Sequence, residues 1–556
     1  MLEWAAMSTI SYKPHGRSLI NGVAAEPAGR TFESRSRIDG SHLGTFASAS
    51  DDQVRTALNL AAGAFFETAV LSPRTADDHA RLLLEVARAF EARLPDIKAA
   101  GCHELAYPAA RADGETARAI FQFRLHAEAT RRRKRLFPSI SIALDKSINV
   151  RSLRVPRGVA VNFPSTNFPW GIGVVGPDLI EPFREGCPVV VKASSKHPLT
   201  SELLGEAVVE AVKNAGYPPG FFSLIQSNDH DHGGLLMSSA EVAVAGLTGG
   251  AATGRRLSVV ALEHGAILHG ELGAVNPVFV LPEKMRSHAA SFAENWWNSL
   301  TLGNGQFCTC PGIVFIPGNE GITEFERVLR ARMDGAQPST LLHSSTQVSF
   351  DRNLDALQGI DGVEAWIRSR KTGKDDSVCL PRILKTTGKD FLRHSHAMQQ
   401  EVFGPVGLIV MTDSVDEMVE AAQLLHGQLT ASLFGTSGDL ESTQARKLER
   451  LLAFLKAGRV NHENMPTGVA VVPSMVHSGP PPASTQAETS IGLSCRYSRP
   501  VCFQNERDDL LLPELQDENP LGIEREVFVT DRTFGKILLW ETTTEPVSKI
   551  MGRLSL

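Results

Sequence analysis

Three side chains in this sequence could together carry out nucleophilic catalysis. Cys308 follows a glycine-rich segment and precedes a threonine, about one turn's length after a run with an aromatic, helix-like pattern. Glu271 lies upstream in a Glu-Leu-Gly segment, and Asn167 lies farther upstream in Ser-Thr-Asn-Phe-Pro. A thiol can act as a nucleophile, a carboxylate as a base, and a side-chain amide as a donor to an oxyanion. The sequence therefore offers a nucleophile, a base and an oxyanion donor.

Two other segments are candidates for binding a dinucleotide. Lys192 closes an apolar strand, at the end where doubly wound sheets bind nucleotides, and its ammonium group could donate to ribose or phosphate oxygens. Residues 246–254 lead from another strand into a helix, whose first backbone amides suit a pyrophosphate. The residues of interest in that segment are Thr248, Gly249, Gly250 and Gly254.

A Gly-x-Gly-x-x-Gly string at residues 171–176 is a weaker candidate. The dinucleotide fingerprint needs a preceding strand and an acidic residue about 20 positions on, at the end of a second strand. Here Pro169 and Trp170 precede the string, and the next apolar strand ends in Lys192. Close packing of a helix explains these glycines better.

Composition limits the class of protein. A chain of 556 residues with 42% hydrophobic content can bury a large core and predicts more than one domain. The net charge of −6 argues against nucleic-acid or membrane-surface partners, and the basic run at residues 131–135 is typical of a solvated helix end. Uninterrupted apolar runs stay below the roughly 18 residues that a membrane span needs.

The cysteines predict a reducing environment and no metal centre. Seven cysteines are few for this length and odd in number, which argues against a disulfide framework and favours a cytoplasmic location. Cys308 and Cys310 form a Cys-x-Cys pair without a matching Cys or His pair at zinc spacing.

Periodicity predicts an α/β architecture. Residues 51–130 show the apolar spacing of helices, and from about residue 155 short β-branched runs alternate with helical segments. This alternation predicts parallel sheets with crossover helices, in two α/β domains. Residues 139–144 and 149–153 are typical of paired strands, with 492–503 as a possible partner, whereas 527–556 shows no clear pattern.

Taken in series, these motifs resemble those of the aldehyde dehydrogenase superfamily over roughly residues 20–505. The matching motifs are Asn167-Phe168-Pro169, Lys192, Thr248-Gly249 with Gly254, Glu271-Leu272-Gly273, Gly305-Gln306-Phe307-Cys308 and Glu401-Val402-Phe403-Gly404-Pro405-Val406. The resemblance implies two Rossmann-like α/β domains and a small β-strand flap that joins homodimers or homotetramers. The implied bounds are 1–135 with 156–270 for the dinucleotide-binding domain, 271–470 for the catalytic domain, 136–155 with 484–505 for the flap, and 506–556 for a C-terminal tail.

The resemblance also implies a reaction. The Cys308 thiolate would attack an aldehyde carbon, and Asn167 with the Cys308 backbone N–H would stabilise the thiohemiacetal oxyanion. Hydride transfer to NAD or NADP would leave a thioester, and Glu271 would activate the water that hydrolyses it. Glu401 would hold the nicotinamide ribose, and Phe403 would pack beside the ring.

Two departures from the family pattern bear on the cofactor. Ser195 stands where many NAD-preferring relatives carry a glutamate, and Gly250 stands where they carry a serine. Without that carboxylate, repulsion of a 2′-phosphate is removed, so NADP is expected to be accepted and preferred.

The substrate expectation rests on a closer resemblance. Segments around Cys187, Cys308, His477 and Cys502 are similar to those of 2,5-dioxopentanoate (α-ketoglutaric semialdehyde) dehydrogenases. Such a substrate carries a carboxylate that needs a partner; His477 is a conceivable one, although a histidine beside a loop is more often structural, and no arginine can be selected from the sequence.

Alternative functions stay open at this point. A long-chain or general aldehyde dehydrogenase would use the same mechanism. A catalytically silent protein of the same fold is disfavoured because all three catalytic residue types are present, and a coenzyme-A-acylating enzyme is disfavoured because Glu271 is present.

Overall fold

The N-terminal part of the chain consists of short strands followed by four helices. The computed structural model describes residues 10–132, 136–145, 147–368, 378–486, 491–531 and 535–554. Its first elements are β1 (Leu19–Ile20), β2 (Val23–Ala24), β3 (Thr31–Arg35), β4 (His42–Ala47), α1 (Asp51–Phe66), α2 (Ala76–Ala92), α3 (Leu94–Leu105) and α4 (Ala109–Arg131). Ser50 caps α1 and Thr75 caps α2, each by accepting a hydrogen bond from the backbone three residues on. The helices predicted over 51–130 are confirmed, and α4 ends within the basic run, of which residues 133–135 lie outside the described part.

A seven-stranded sheet forms the first α/β unit. The next elements are β5 (Ser139–Ala143), β6 (Asn149–Pro156), β7 (Val159–Phe163), α5 (Pro177–Glu185), β8 (Val189–Lys192), α6 (Pro198–Asn214), β9 (Phe222–Ile225), α7 (Asp231–Met237), β10 (Val242–Thr248), α8 (Ala251–Glu263) and β11 (Ile267–Glu271). The sheet runs β11-β10-β7-β8-β9-β1-β2, and β7 to β11 are parallel to one another. Lys192, Thr248 and Glu271 therefore lie at the same, carboxyl-terminal edge of this sheet.

Both faces of this sheet are buried. Val189 and Val191 of β8 pack into one apolar cluster with α2, α4 and α6, whereas Val190 packs into another with α1. Successive side chains of a strand point to opposite faces, so a continuous valine run is expected where both faces are covered by helices.

A second seven-stranded sheet repeats this plan. Its region contains β12 (Val278–Val280), α9 (Pro282–Thr301), β13 (Ile313–Pro317), α10 (Ile322–Gly335), β14 (Ser339–Thr340), α11 (Ser344–Gln358), β15 (Glu364–Ile367), β16 (Val378–Cys379), β17 (Arg382–Thr387), α12 (Gly388–Met398), β18 (Val406–Thr412), α13 (Val415–Leu424), β19 (Gln428–Phe434), α14 (Ser437–Glu441), α15 (Thr443–Leu451) and β20 (Ala457–His462). The order is β15-β17-β18-β13-β12-β19-β20, parallel except at β15. The two predicted parallel sheets are confirmed.

A five-stranded sheet stands apart from both. The last elements are β21 (Ser498–Gln504), β22 (Arg525–Asp531), β23 (Lys536–Thr543) and α16 (Val547–Leu554), and the sheet order is β21-β6-β5-β22-β23. The predicted pairing of β5 with β6 and of β6 with the segment 492–503 is confirmed. The region 506–556, expected only as a tail, instead supplies two strands of this sheet and a helix that packs on it.

The glycines of residues 171–176 form a tight turn before α5. A Cβ on Gly173 would overlap the carbonyl of Pro169, and one on Gly176 would overlap the backbone of Ile172. These contacts lie within the turn itself, whereas a Cβ on Gly171 would stand 3.2 Å from the side chain of Glu115 on α4, so close packing against a helix holds for Gly171. In the described residues, every helix is too short or too polar to cross a lipid bilayer.

Candidate active site

Cys308 lies in a turn that follows α9 and a short 3-10 segment, Leu302–Gly305. Gly303 and Gly305 adopt left-handed backbone angles, and a Cβ on Gly305 would overlap the backbone of Gly404. The side-chain amide of Asn276 donates to the carbonyl oxygens of Cys308, at 2.7 Å, and Cys310, at 3.0 Å. The segment that carries the thiol is thus fixed from both sides.

Glu271 and His477 lie beside the sulfur. Glu271 ends β11, opposite Thr248 of β10, and both Glu271 and His477 are buried. His477 Nε2 lies 2.8 Å from Glu271 Oε1 and 3.5 Å from Cys308 Sγ. The predicted neighbours Cys308 and Glu271 are therefore brought together across 37 residues, and a histidine joins them.

Asn167 reaches the same turn from the first α/β unit. Its side-chain amide donates to the carbonyl of Gln306 at 2.9 Å, two residues before Cys308. The backbone carbonyl of Asn167 accepts hydrogen bonds from Tyr107 Oη at 2.9 Å and from the guanidinium of Arg111 at 2.5 Å. A carboxamide nitrogen carries two hydrogens, so one remains for a substrate oxygen.

The electrostatic surroundings keep the thiol protonated. Burial raises the pKa of Cys308 well above its usual range, the carboxylates of Glu271 and Glu401 raise it further, and the guanidinium of Arg118 lowers it. Near neutral pH the sulfur must therefore lose its proton to a neighbour before it can attack a carbonyl carbon. His477 Nε2 can accept that proton in the tautomer that leaves Nε2 unprotonated, and the Glu271 carboxylate can accept it when Nε2 carries a hydrogen.

His477 is the site residue whose position the sequence did not reveal. From the sequence it is only a conceivable partner for a substrate carboxylate; in the structure its ring contacts the carboxylate of Glu271. The one available signal was its occurrence in a segment that resembles a known subfamily. The 169 residues between Cys308 and His477 hide the contact from any local pattern.

Lys192 and the start of α8 leave room for a phosphorylated ligand. Lys192 Nζ donates to the carbonyl of Ser227 at 3.3 Å, and burial lowers the pKa of Lys192 to about 8. Gly250 is the N-cap residue of α8. Among the described residues, no side chain caps the helix and nothing lies within 4 Å of a Cβ placed on Gly250. Uncapped backbone amides beside open space fit a pyrophosphate, which is what a dinucleotide would present. Ser195 lies half-buried in the turn after β8.

Gly254, Glu401 and Phe403 are the remaining cofactor candidates. Gly254 packs against Leu272, since a Cβ there would overlap the leucine side chain. Burial raises the pKa of Glu401 to about 8, although the backbone of Ala274 donates to its carboxylate. Phe403 follows the second sheet's helix α12 but packs against the apolar cluster of the first sheet. Glu401 and Phe403 thus stand where the two sheets meet.

The same cluster has a composition that metals accept. The ligand-type atoms of Glu271, Cys308 and His477 all lie within 4.8 Å of one another. A thiolate, an imidazole and a carboxylate are all zinc ligands, so the expectation of no metal site stays a prediction.

Comparison with known proteins assigns the family. The model of the aldehyde dehydrogenase family matches residues 24–479. The chain belongs to this family. It is an NAD(P)-dependent aldehyde oxidoreductase, as related dehydrogenases of the same family and fold indicate.

Its relatives agree in sequence and in fold. The chain is 32% identical to an alpha-ketoglutaric semialdehyde dehydrogenase of Acinetobacter baylyi, over 92% of this chain and 98% of that protein. It is 35% identical to alpha-ketoglutaric semialdehyde dehydrogenase 2 of Azospirillum brasilense, over 76% of this chain and 81% of that protein. A crystal structure of betaine aldehyde dehydrogenase from Staphylococcus aureus in complex with NAD+ superposes with a TM-score of 0.75 at 18% identity, covering 91% of this chain and 98% of that one. The predicted fold class is confirmed.

Proposed function

We propose that the enzyme oxidises 2,5-dioxopentanoate to 2-oxoglutarate with NAD(P)+ and water. The observation that carries this proposal is the cluster of Cys308, Glu271 and His477, with Asn167 held against the same turn. The two relatives named as alpha-ketoglutaric semialdehyde dehydrogenases support the choice of substrate.

In the proposed reaction, Cys308 Sγ forms a bond to the aldehyde carbon as its proton passes to His477 or Glu271. The carbonyl oxygen becomes an oxyanion, which accepts hydrogen bonds from the side-chain amide of Asn167 and the backbone N–H of Cys308. Loss of one such donor costs roughly 100- to 1000-fold in rate. The NAD(P)+ that Lys192, the start of α8 and Glu401 would hold would supply the acceptor for the hydride that leaves the former aldehyde carbon.

Hydrolysis completes the cycle. A thioester then links Cys308 to the acyl group, and Glu271 removes a proton from the attacking water. The carbon–sulfur bond breaks, the carboxylate leaves, and the sulfur regains a proton from His477 or Glu271. One aldehyde, one water and one NAD(P)+ thus give one carboxylate, one NAD(P)H and protons.

The substrate assignment is tested with a panel of aldehydes. We expect kcat/KM to be highest for 2,5-dioxopentanoate among that compound, succinic semialdehyde, glutaraldehyde and decanal, followed by NAD(P)H fluorescence. Cys308→Ala should abolish turnover, whereas Cys502→Ala, at an exposed cysteine, should retain it. A best rate with decanal would instead indicate a long-chain aldehyde dehydrogenase. Full turnover by Cys308→Ala would exclude Cys308 as the nucleophile.

We further propose that NADP is the preferred cofactor. Ser195 stands in the turn after Lys192, and its hydroxyl carries no charge to repel a 2′-phosphate. The wild type should therefore show kcat/KM at least as high with NADP as with NAD. Ser195→Glu should lower kcat/KM for NADP about tenfold and spare NAD, whereas Ser195→Ala should leave the ratio unchanged. A strong NAD preference in the wild type contradicts this proposal.

Location and assembly are proposals of the same kind. All seven cysteines of the described chain are thiols, which supports a reducing, cytoplasmic environment. The five-stranded sheet, which stands outside both α/β units, supports a homodimer or homotetramer joined through its strands. We also retain the division into a dinucleotide-binding domain, a catalytic domain and a flap.

A further inference from the structure

Arg118 is a cation near the reactive thiol whose hydrogen-bonding capacity is largely unused. It lies on α4, and its Nε and Nη2 atoms are buried without a hydrogen-bond partner among the described residues. A guanidinium carries five N–H donors in a planar fork, and burying such donors unpaired is costly. A ligand that accepts from the fork would remove this cost.

The helix aims this face at the catalytic turn. Arg111, Glu115 and Arg118 recur at the spacing that places side chains on one side of α4. Glu115 accepts from the backbone N–H groups of Trp170 and Gly171, both at 3.0 Å. Arg111 donates to the carbonyl of Asn167. Arg118 therefore continues a row that already contacts the Asn167 segment.

Electrostatics connects Arg118 to the reacting groups. Its positive charge acts on both Cys308 and Glu271, and it lowers the pKa of the Cys308 thiol. Burial lowers the pKa of Arg118 itself, since the charged guanidinium is partly removed from water. A carboxylate bound beside it would offset this desolvation.

Two other arginines near the site are already occupied. Arg111 stacks on the ring of Tyr107, with its guanidinium carbon 3.8 Å from the ring centroid, and also lies over Phe168 and Phe307. Arg459, whose charge is also influenced by Cys308, donates to the carbonyls of Gly468 at 2.9 Å and Pro466 at 2.5 Å. Within the described part of the chain, Arg118 is the member of this group whose guanidinium Nε and Nη2 both lack a hydrogen-bond partner.

We propose that Arg118 binds the carboxylate of an aldehyde substrate and sets the enzyme's preference for semialdehydes of 2-oxo or simple carboxylic acids. This inference rests on the proposed function and deepens it. The aldehyde carbon would stand at Cys308 while the far carboxylate accepts hydrogen bonds from Arg118. Charge-assisted, bidentate pairing of this kind is what arginine provides and lysine does not.

The test compares a charged and an uncharged aldehyde in matched variants. Arg118→Gln should lower kcat/KM for 2,5-dioxopentanoate about 100-fold, chiefly through KM, and change kcat/KM for pentanal less than about threefold. Arg118→Lys should show a smaller loss, because it keeps the charge but not the fork. Arg124→Gln, at an exposed arginine on the same helix that pairs with Glu91, is the control and should match the wild type.

Other outcomes separate this inference from the substrate assignment. An equal loss of kcat/KM with both aldehydes would show that Arg118 acts on Cys308 or Glu271. Wild-type kcat/KM with both aldehydes would place the carboxylate elsewhere. Either outcome overturns the inference. The wild type could instead prefer succinic semialdehyde to 2,5-dioxopentanoate. If Arg118→Gln then loses kcat/KM for succinic semialdehyde but not for pentanal, the carboxylate site stands and 2,5-dioxopentanoate is the wrong substrate. If Arg118→Gln does not fold, weaker competitive inhibition by glutarate in Arg118→Lys supports the inference, and unchanged inhibition overturns it.

Discussion

Cys308 combines a reactive atom with surroundings that oppose its ionisation. Burial and the carboxylates of Glu271 and Glu401 raise its pKa, whereas the positive charge of Arg118 lowers it by a smaller amount. The sulfur is therefore held as a protonated thiol, and it reacts by giving its proton to His477 or Glu271.

The raised pKa predicts how Cys308 reacts with iodoacetamide. Because the thiolate is the reacting species, the alkylation rate at Cys308 should rise about tenfold per pH unit between pH 7 and 9 and should not level off in that range. The measurement is mass spectrometry of the Cys308 peptide in the cofactor-free enzyme, with the exposed Cys502 as internal reference. A rate that is already constant at pH 7 would contradict the pKa direction.

The role of His477 is tested in the same experiment. His477→Asn removes the proton acceptor 3.5 Å from the sulfur, so alkylation at pH 7 should slow and kcat should fall about 100-fold. His264→Asn, at an exposed histidine on the first α/β unit, is the matched control and should behave as the wild type. Unchanged alkylation and turnover in His477→Asn would leave Glu271 as the sole acceptor.

The residues recognised from sequence and those missed differ in a physical way. Cys308, Glu271 and Asn167 each stand in a local motif, and the structure brings them to one place. His477 gains its importance from a contact with Cys308, 169 residues away, and Arg118 from a charge that acts on Cys308 and Glu271. Local spacing cannot express such a contact, and an arginine on an amphipathic helix is indistinguishable from a solvated one until its burial is known.

Among the helices and strands, sequence periodicity predicted those that are buried on both faces or strongly amphipathic. The valine run of β8 and the capped helices α1 and α2 follow from sequence because one rule fixes each. Strands β22 and β23 could not be predicted, since β22 is stabilised by parallel pairing with β5, nearly 400 residues upstream. Their mixed apolar and polar composition reflects a sheet whose outer strand faces solvent.

For the molecule as a whole, buried polar contacts join the five-stranded sheet to the first α/β unit. Arg496, just before β21, is buried and pairs with Asp178 at 3.0 Å and Glu181 at 2.8 Å on α5. Tyr497 Oη also donates to Asp178 at 2.8 Å. These bonds hold the start of β21 against the first α/β unit. The five-stranded sheet is thus anchored at β21, while its outer strand, β23, stays exposed.

The exposed outer strand is the surface through which we expect the proposed homo-oligomer to form. Ile537 and Trp540 on β23 are 62% and 65% exposed, and among the described residues β23 has a neighbouring strand on one side alone. An apolar strand at the edge of a sheet is a ready surface for association. If the proposed homo-oligomer forms through this strand, the double variant Ile537→Lys/Trp540→Lys should have a lower mass by light scattering than the wild type. Val348→Lys, at a residue 67% exposed on α11, controls for added charge and should keep the wild-type mass. Because the nucleophile cluster lies in the α/β units, the smaller species should still alkylate at Cys308; an unchanged mass would place the interface on another face.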